Sequence, residues 1–184
     1  MTRRSRQRAS ARLLGFGLVE AAVGFALVGS VLAIAVPTFV RELHASRFVE
    51  PTQGLATLAA EAVRYASGRS TAAAFPTSVA LAPSVPPRGK LVADPPGTWS
   101  DPTWRALAFP SERFDFAVGV PHAFAFGFDS TLSATRSAFV AHAHADLDGD
   151  GALSTFEVHG HAAGTGVGEA ALVEPGMYVE AALE

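Results

Sequence analysis

The amino-acid sequence predicts an α+β protein in which one long N-terminal helix is packed on an antiparallel β-sheet. Three observations predict it. A predominantly apolar run from Phe16 to Val40 passes into an amphipathic stretch that ends near Ser67, short aromatic and β-branched segments alternate in the second half, and turn-forming residues separate those segments. With 184 residues, 49% of them apolar, the chain can hold one domain with a real core plus an appendage, but not two domains. It has no cysteine, which excludes disulfides, thiolate metal sites and cysteine nucleophiles, and leaves an extracytoplasmic domain in need of another staple.

Charge is distributed unevenly along this frame. Arg3, Arg4, Arg6, Arg8 and Arg12 all precede Gly15 with no acid among them, and setting those five aside lowers the formal charge from −3 by five, to −8. An acidic body argues against nucleic acid as a partner, because affinity for phosphates comes mostly from lysine and arginine. The basic run reads as an orientation signal that stays on the cytoplasmic side of a bilayer.

The first element runs from Phe16 to Val40, and Glu20 is its only ionisable group. At 1.5 Å rise per residue a helix of this length spans the roughly 30 Å of hydrocarbon in a bilayer. A cleaved secretory signal and a simple membrane anchor are the other readings of such a run. The former has a shorter apolar core closed by small residues, without an acid near its start. A carboxylate in hydrocarbon is costly, so Glu20 needs a partner. Gly24, Gly29, Ser30 and Ala33 allow helices to approach closely, and Pro37 deletes a helical hydrogen bond, so that the helix can kink or locally melt there.

The order of these residues is specific. Gly15 is followed by Phe16, three apolar residues and Glu20, and Pro37 lies near the far end of the run. This resembles the class III signal and helix start of type IV pilins and type II secretion pseudopilins, with Gly17 and Val19 where threonine and isoleucine are commoner. The resemblance implies that a prepilin peptidase cuts between Gly15 and Phe16 and that Phe16 becomes N-methylated. It further implies that Glu20 pairs with such an amine on a neighbouring subunit and sets the register of assembly. On this reading residues 1–15 are a cleaved leader, 16–40 the membrane and filament-core half of the helix, 41–69 its amphipathic half, and 70–184 a β-rich head. The subunit would wait in the inner membrane with its leader cytoplasmic. Assembly machinery would then add it to a helical filament of pilins, either an extracellular pilus or a periplasmic pseudopilus.

Beyond Pro37 the apolar residues Leu43, Phe48, Leu55, Leu58, Ala59, Ala62, Val63 and Tyr65 fall at three- and four-residue steps, predicting a helix to about Ser67 that is broken or bent near Pro51 and Gly54. From Phe75 to Pro110 proline is so dense that an extended surface connection is expected, without regular helix or central strand, pinned to the core by Trp99 and Trp104. Strands are expected at 113–120, 122–128, 137–145, 154–160 and 177–183, with alternation visible in Phe114, Phe116 and Val118 and again in Phe124, Phe126 and Phe128.

Between two of these strands Asp146 to Glu157 reads DLDGDGALSTFE, which fits D-x-D-x-D-G followed five residues later by Glu. Calcium takes six to eight oxygens, and this spacing offers them from Asp146, Asp148 and Asp150, the carbonyl of Ala152, Ser154 directly or through water, and Glu157 with two oxygens, while Gly151 permits the turn. The flanks read as strands, so the loop resembles that of an EF-hand in its ligand pattern alone and suits a structural clip. Weak affinity, on the order of 10⁻⁴ to 10⁻³ M, suffices for a clip outside the cytoplasm. It would serve as the staple that cysteines do not provide.

His142 and His144 alternate on one flank, His159 and His161 on the other. A hairpin pairing Ala145 with Val158 would set His144 against His159 and His142 against His161, collecting four imidazoles for zinc or copper. The glycines of residues 164–168 lack the strand-to-helix context of a nucleotide loop, and no signature of catalysis stands out. The expected function is therefore structural: a major or minor pilin with a calcium-stabilised head, or a pseudopilin of a type II secretion system. A membrane-anchored, calcium-dependent adhesin is the alternative from another class.

Overall fold

Apolar side chains decide where this chain packs on itself and where it does not. The computed structural model describes residues 17–110, 119–164 and 170–181, and the chain divides into two units, Met1–Glu42 and Leu43–Glu184. The first contains most of helix α1 (Leu18–Arg47), whose apolar side chains as far as Phe39 are exposed: Leu18, Phe25 and Ile34 are 88%, 80% and 73% accessible. A helix that is apolar all round and exposed is of the kind found in a membrane or in a signal sequence. Its hydroxyls are absorbed internally, Ser30 Oγ donating to the Ala26 carbonyl at 2.8 Å and Thr38 Oγ1 to the Ile34 carbonyl at 2.9 Å. Pro37, where the helix could kink or locally melt, lies inside α1, which stays helical from Leu18 to Arg47.

The second unit begins its own helix, α2 (Val49–Ala66), after a break at Phe48. The break falls three residues before Pro51 because a proline ring obstructs the carbonyl four residues earlier, here that of Arg47. Pro51 then lies in the first turn of α2, where no N–H is required of it. One face of α2 buries Leu55, Leu58, Ala59 and Ala62 against the sheet. Gly54 lets that face sit close: a Cβ there would meet Phe126 Cε1 at 2.5 Å.

The sheet is antiparallel with order β1-β2-β3-β4-β5, formed by β1 (Val79–Ala82), β2 (Ala125–Thr131), β3 (Arg136–Ala145), β4 (Ser154–Ala163) and β5 (Leu172–Val173), while β6 (Tyr178–Glu180) also pairs with β4. Strands β3 and β4 alternate strictly between buried and part-exposed positions, as a sheet covered on one face requires. Phe124, Phe126, Phe128, Phe139 and Phe156 point to the covered face, each nearly or fully buried. Burying such a ring contributes about 1.5–3 kcal/mol, and Phe128 stacks on Phe139 with centroids 5.5 Å apart.

The proline-rich connection contains more structure than its composition suggests. It supplies the edge strand β1 and a short helix, α3 (Pro102–Ala106), so the exclusion of helix was wrong there. Pro102 occupies a first-turn position and the Asp101 carboxylate accepts from Thr103 N at 2.8 Å, which together start a helix rather than prevent one. Trp104 is buried and Trp99 partly so, in edge contact at 5.1 Å, as core anchors. The expected strand at 113–120 lies almost wholly outside the described residues, as do the end of the last expected strand, most of the 164–168 glycine segment, and the leader with Gly15 and Phe16.

Candidate functional site

The turn between β3 and β4 gathers acids because its backbone needs them. Asp146 is 1% exposed, its Oδ1 accepting from Gly149 N at 2.7 Å and its Oδ2 from Gly151 N at 3.1 Å. Asp148 accepts from Asp150 N at 3.1 Å and Asp150 from Ala152 N at 2.7 Å, so each carboxylate closes a local turn with one oxygen. Gly149 and Gly151 have φ of 88° and 102°, a conformation that favours glycine. As a result one carboxylate oxygen from each of Asp146, Asp148 and Asp150 lies within 4.8 Å of the others, a group that could hold a metal ion. The proline-rich connection is tied to the same point: Gly89 N donates to the Asp146 carbonyl at 2.7 Å, and Arg88 Nε lies 3.7 Å from Asp146 Oδ2.

The remaining expected ligands are distributed differently. Ser154 is buried at the start of β4, and its hydroxyl donates to the Ala181 carbonyl at 2.9 Å. Ala152 stays in the turn. Glu157 lies within β4, opposite His142, with its carboxylate 3.2 Å from His159 Nε2, and is not among the grouped acids. The histidine register also differs from expectation. Pairing continues to Ala145 opposite Ser154, so His144 faces Thr155, His142 faces Glu157, His159 faces Val140 and His161 faces Ala138. A shift of four residues keeps every side chain on its expected face while letting residues 154–157 join the ladder, so backbone hydrogen bonding favours the tighter hairpin. The four imidazoles share the outer face but do not converge.

On that face His142 leans across β2, its Nδ1 3.7 Å from an Asp129 oxygen, and His144 Nδ1 lies 2.9 Å from Thr155 Oγ1. Burial lowers the pKa of His142, against the raising effects of Asp129 and Glu157. His144 is lowered too, first by burial and then by the charge of His142, with Glu157 opposing.

A buried polar cluster had no counterpart in the sequence reading. Glu50, in the first turn of α2, accepts from Ala123 N at 2.9 Å and 3.1 Å and from Phe124 N at 2.7 Å. His122 Nδ1 meets the Phe124 carbonyl at 2.7 Å, His122 Nε2 lies 2.8 Å from Asp94 Oδ2, and Trp99 Nε1 donates to that same oxygen at 2.6 Å. Residues so far apart in sequence, without periodicity, leave no local signal.

In the first unit, Leu18–Phe39 is a 22-residue span long and apolar enough to cross a membrane or to act as a signal sequence. At its start Glu20 Oε2 accepts from Gly17 N at 2.6 Å, so the acid caps its own helix here. No protein-family model, curated protein or solved structure matches the chain.

Proposed function

We propose that this chain is a structural subunit, a major or minor pilin, of a type IV pilus-like filament. On this reading it is processed between Gly15 and Phe16, held in the inner membrane through Leu18–Phe39 until assembly, and stabilised in its sheet unit by calcium at the aspartate turn. The observation that carries the reading is an exposed, all-round apolar span, Leu18–Phe39, whose single acid, Glu20, sits in the first turn of α1. Outside a bilayer, such a helix is stable when bundled with copies of itself, and repetition of one heterologous contact without closure gives a fibre. An acid at one end fixes the register of that bundle, because a neighbour's amine satisfies it only at one axial position. A pseudopilin would share all of these features and differ in its companions. For the turn, three carboxylates converging from one short loop suit a hard cation such as calcium.

Mass spectrometry of the mature N-terminus tests processing: a methylated Phe16 is expected, and an intact leader refutes it. Replacing Glu20 with alanine should abolish incorporation into sheared filaments while leaving the subunit in the membrane. Unchanged incorporation refutes the assembly role.

A further inference from the structure

We propose that an apolar groove beside α2 receives the apolar span Leu18–Phe39 of a second copy of this chain. The inference rests on the filament reading and names the surface that such a filament uses. Strands β5 and β6 both pair with the outer side of β4, Val173 opposite Gly160 and Val179 opposite Phe156. Directly opposed residues share a face, so Val173 and Val179 stand on the face that α2 covers, where Phe156 is buried. They are nevertheless 41% and 44% exposed. The inner face of the sheet therefore runs on past α2 without a helix over it. Between its edge and α2 lies a groove of about 500 Å³, lined by Ala56, Ala59 and Ala60 of α2, by Val158 and Val173, and by Met177. Ala56 and Ala60 are exposed and one helical turn apart, which lets a second helix come close to α2.

The vacant place beside α2 is therefore shaped for an apolar helix, and this chain carries one. Eleven large apolar side chains between Leu18 and Phe39 are more than half exposed. They offer on the order of 700 Å², close to the roughly 800 Å² that each partner of a stable interface buries. Charge matches as well. The span has no ionisable side chain after Glu20, and the charged residue at the groove, Glu174, is turned onto His161 Nδ1 at 3.2 Å. One copy's span in the next copy's groove is a contact between two different surfaces, so its repetition extends without closing, as a fibre requires.

Because the chain has no cysteine of its own, cross-linking tests this directly. Cells that make the filament co-express two full-length forms, one with Ala60→Cys and one with a single cysteine moved position by position from Val23 to Ile34. Sheared filaments are then treated with a short bismaleimide. Cross-linked dimers are expected to recur every three to four positions, because one face of a helix enters the groove. An Ala56→Leu, Ala60→Leu double variant fills the groove with residues that favour helix. It should keep its circular dichroism spectrum and enter filaments about 10-fold less. Filaments that contain both forms without cross-links, or with equal cross-linking at every position, would overturn the inference and leave the filament reading standing, the span then being covered by other spans or by lipid. Undiminished incorporation of the double leucine variant would do the same, and so would cross-links that form only when both cysteines are in one copy. Failure of the wild type to enter filaments would refute the filament reading, and this inference with it.

Discussion

Replacing Glu50 with alanine should destabilise the sheet unit severely. Its carboxylate accepts from the amides of Ala123 and Phe124 at 2.7–3.1 Å, and those two residues are 3% and 0% exposed. An orphaned buried donor costs about 1–3 kcal/mol. Two of them, eased by water entering where a side chain 17% exposed has been removed, give about 2–5 kcal/mol. For a chain of this size each kcal/mol lowers the unfolding midpoint by about 2–4 °C, so the drop should be on the order of 10 °C. Glu50→Gln keeps an acceptor for both amides and gives up only the charge, and should cost about 1 kcal/mol. Thermal unfolding followed by tryptophan fluorescence suits the assay, because Trp99 packs beside His122 with ring centres 6.4 Å apart. An alanine variant within about 0.5 kcal/mol of the parent would refute the reasoning. Equal losses in both variants would show that charge, not the amide bonds, carries the effect.

Two further outcomes follow from the site. With a dissociation constant near 10⁻⁴ M, about 1 mM calcium should stabilise the sheet unit by about 1.4 kcal/mol and raise its midpoint by roughly 3–6 °C. Chelation should reverse this, and the Asp148→Asn, Asp150→Asn variant, whose amides preserve both local turns, should show no shift. A calcium response in that variant would place the ion elsewhere. Because the folded-state pKa of His142 is lowered, mainly by burial, the unfolded chain takes up its proton first. The stabilising contribution of neutral His142 is therefore complete above its unfolded value of about 6.5 and is lost as pH falls through the lower folded value. In chelator, His142→Gln should unfold with a shallower dependence over that window, and identical slopes would contradict the burial argument.

The sequence made some of this legible because the signals were local. Phe124, Phe126 and Phe128 alternate in a run that contains no competing signal, and all three face the core. Asp146, Asp148 and Asp150 lie within five residues, so their convergence depends only on the turn they form. Glu157 depended on where pairing resumes, and periodicity cannot distinguish registers that differ by four residues, since both keep Phe156 and Val158 inward. Proline density concealed α3, because a proline in the first turn of a helix and a proline that breaks one look alike until the cap at Asp101 is seen.

The polar contacts also bear on how a unit without cysteine secures its longest irregular connection. The segment from Pro87 to Trp99 is tied near both ends to residues that are almost fully buried, Asp146 and His122. Gly89 and Arg88 meet Asp146 at one end, and Asp94 meets His122 and Trp99 at the other. His122 and Asp94 are each only 5% exposed, so this second tie is shielded from the solvent that weakens surface pairs. The first tie shares Asp146 with the candidate cation group, and an ion there would draw on a carboxylate that already faces Arg88. Cation binding at this turn would therefore be coupled to the anchoring of this segment through one side chain. An ion that strengthens the turn also changes the charge that Arg88 meets, so calcium should alter protease sensitivity near Arg88 more than at sites in β3.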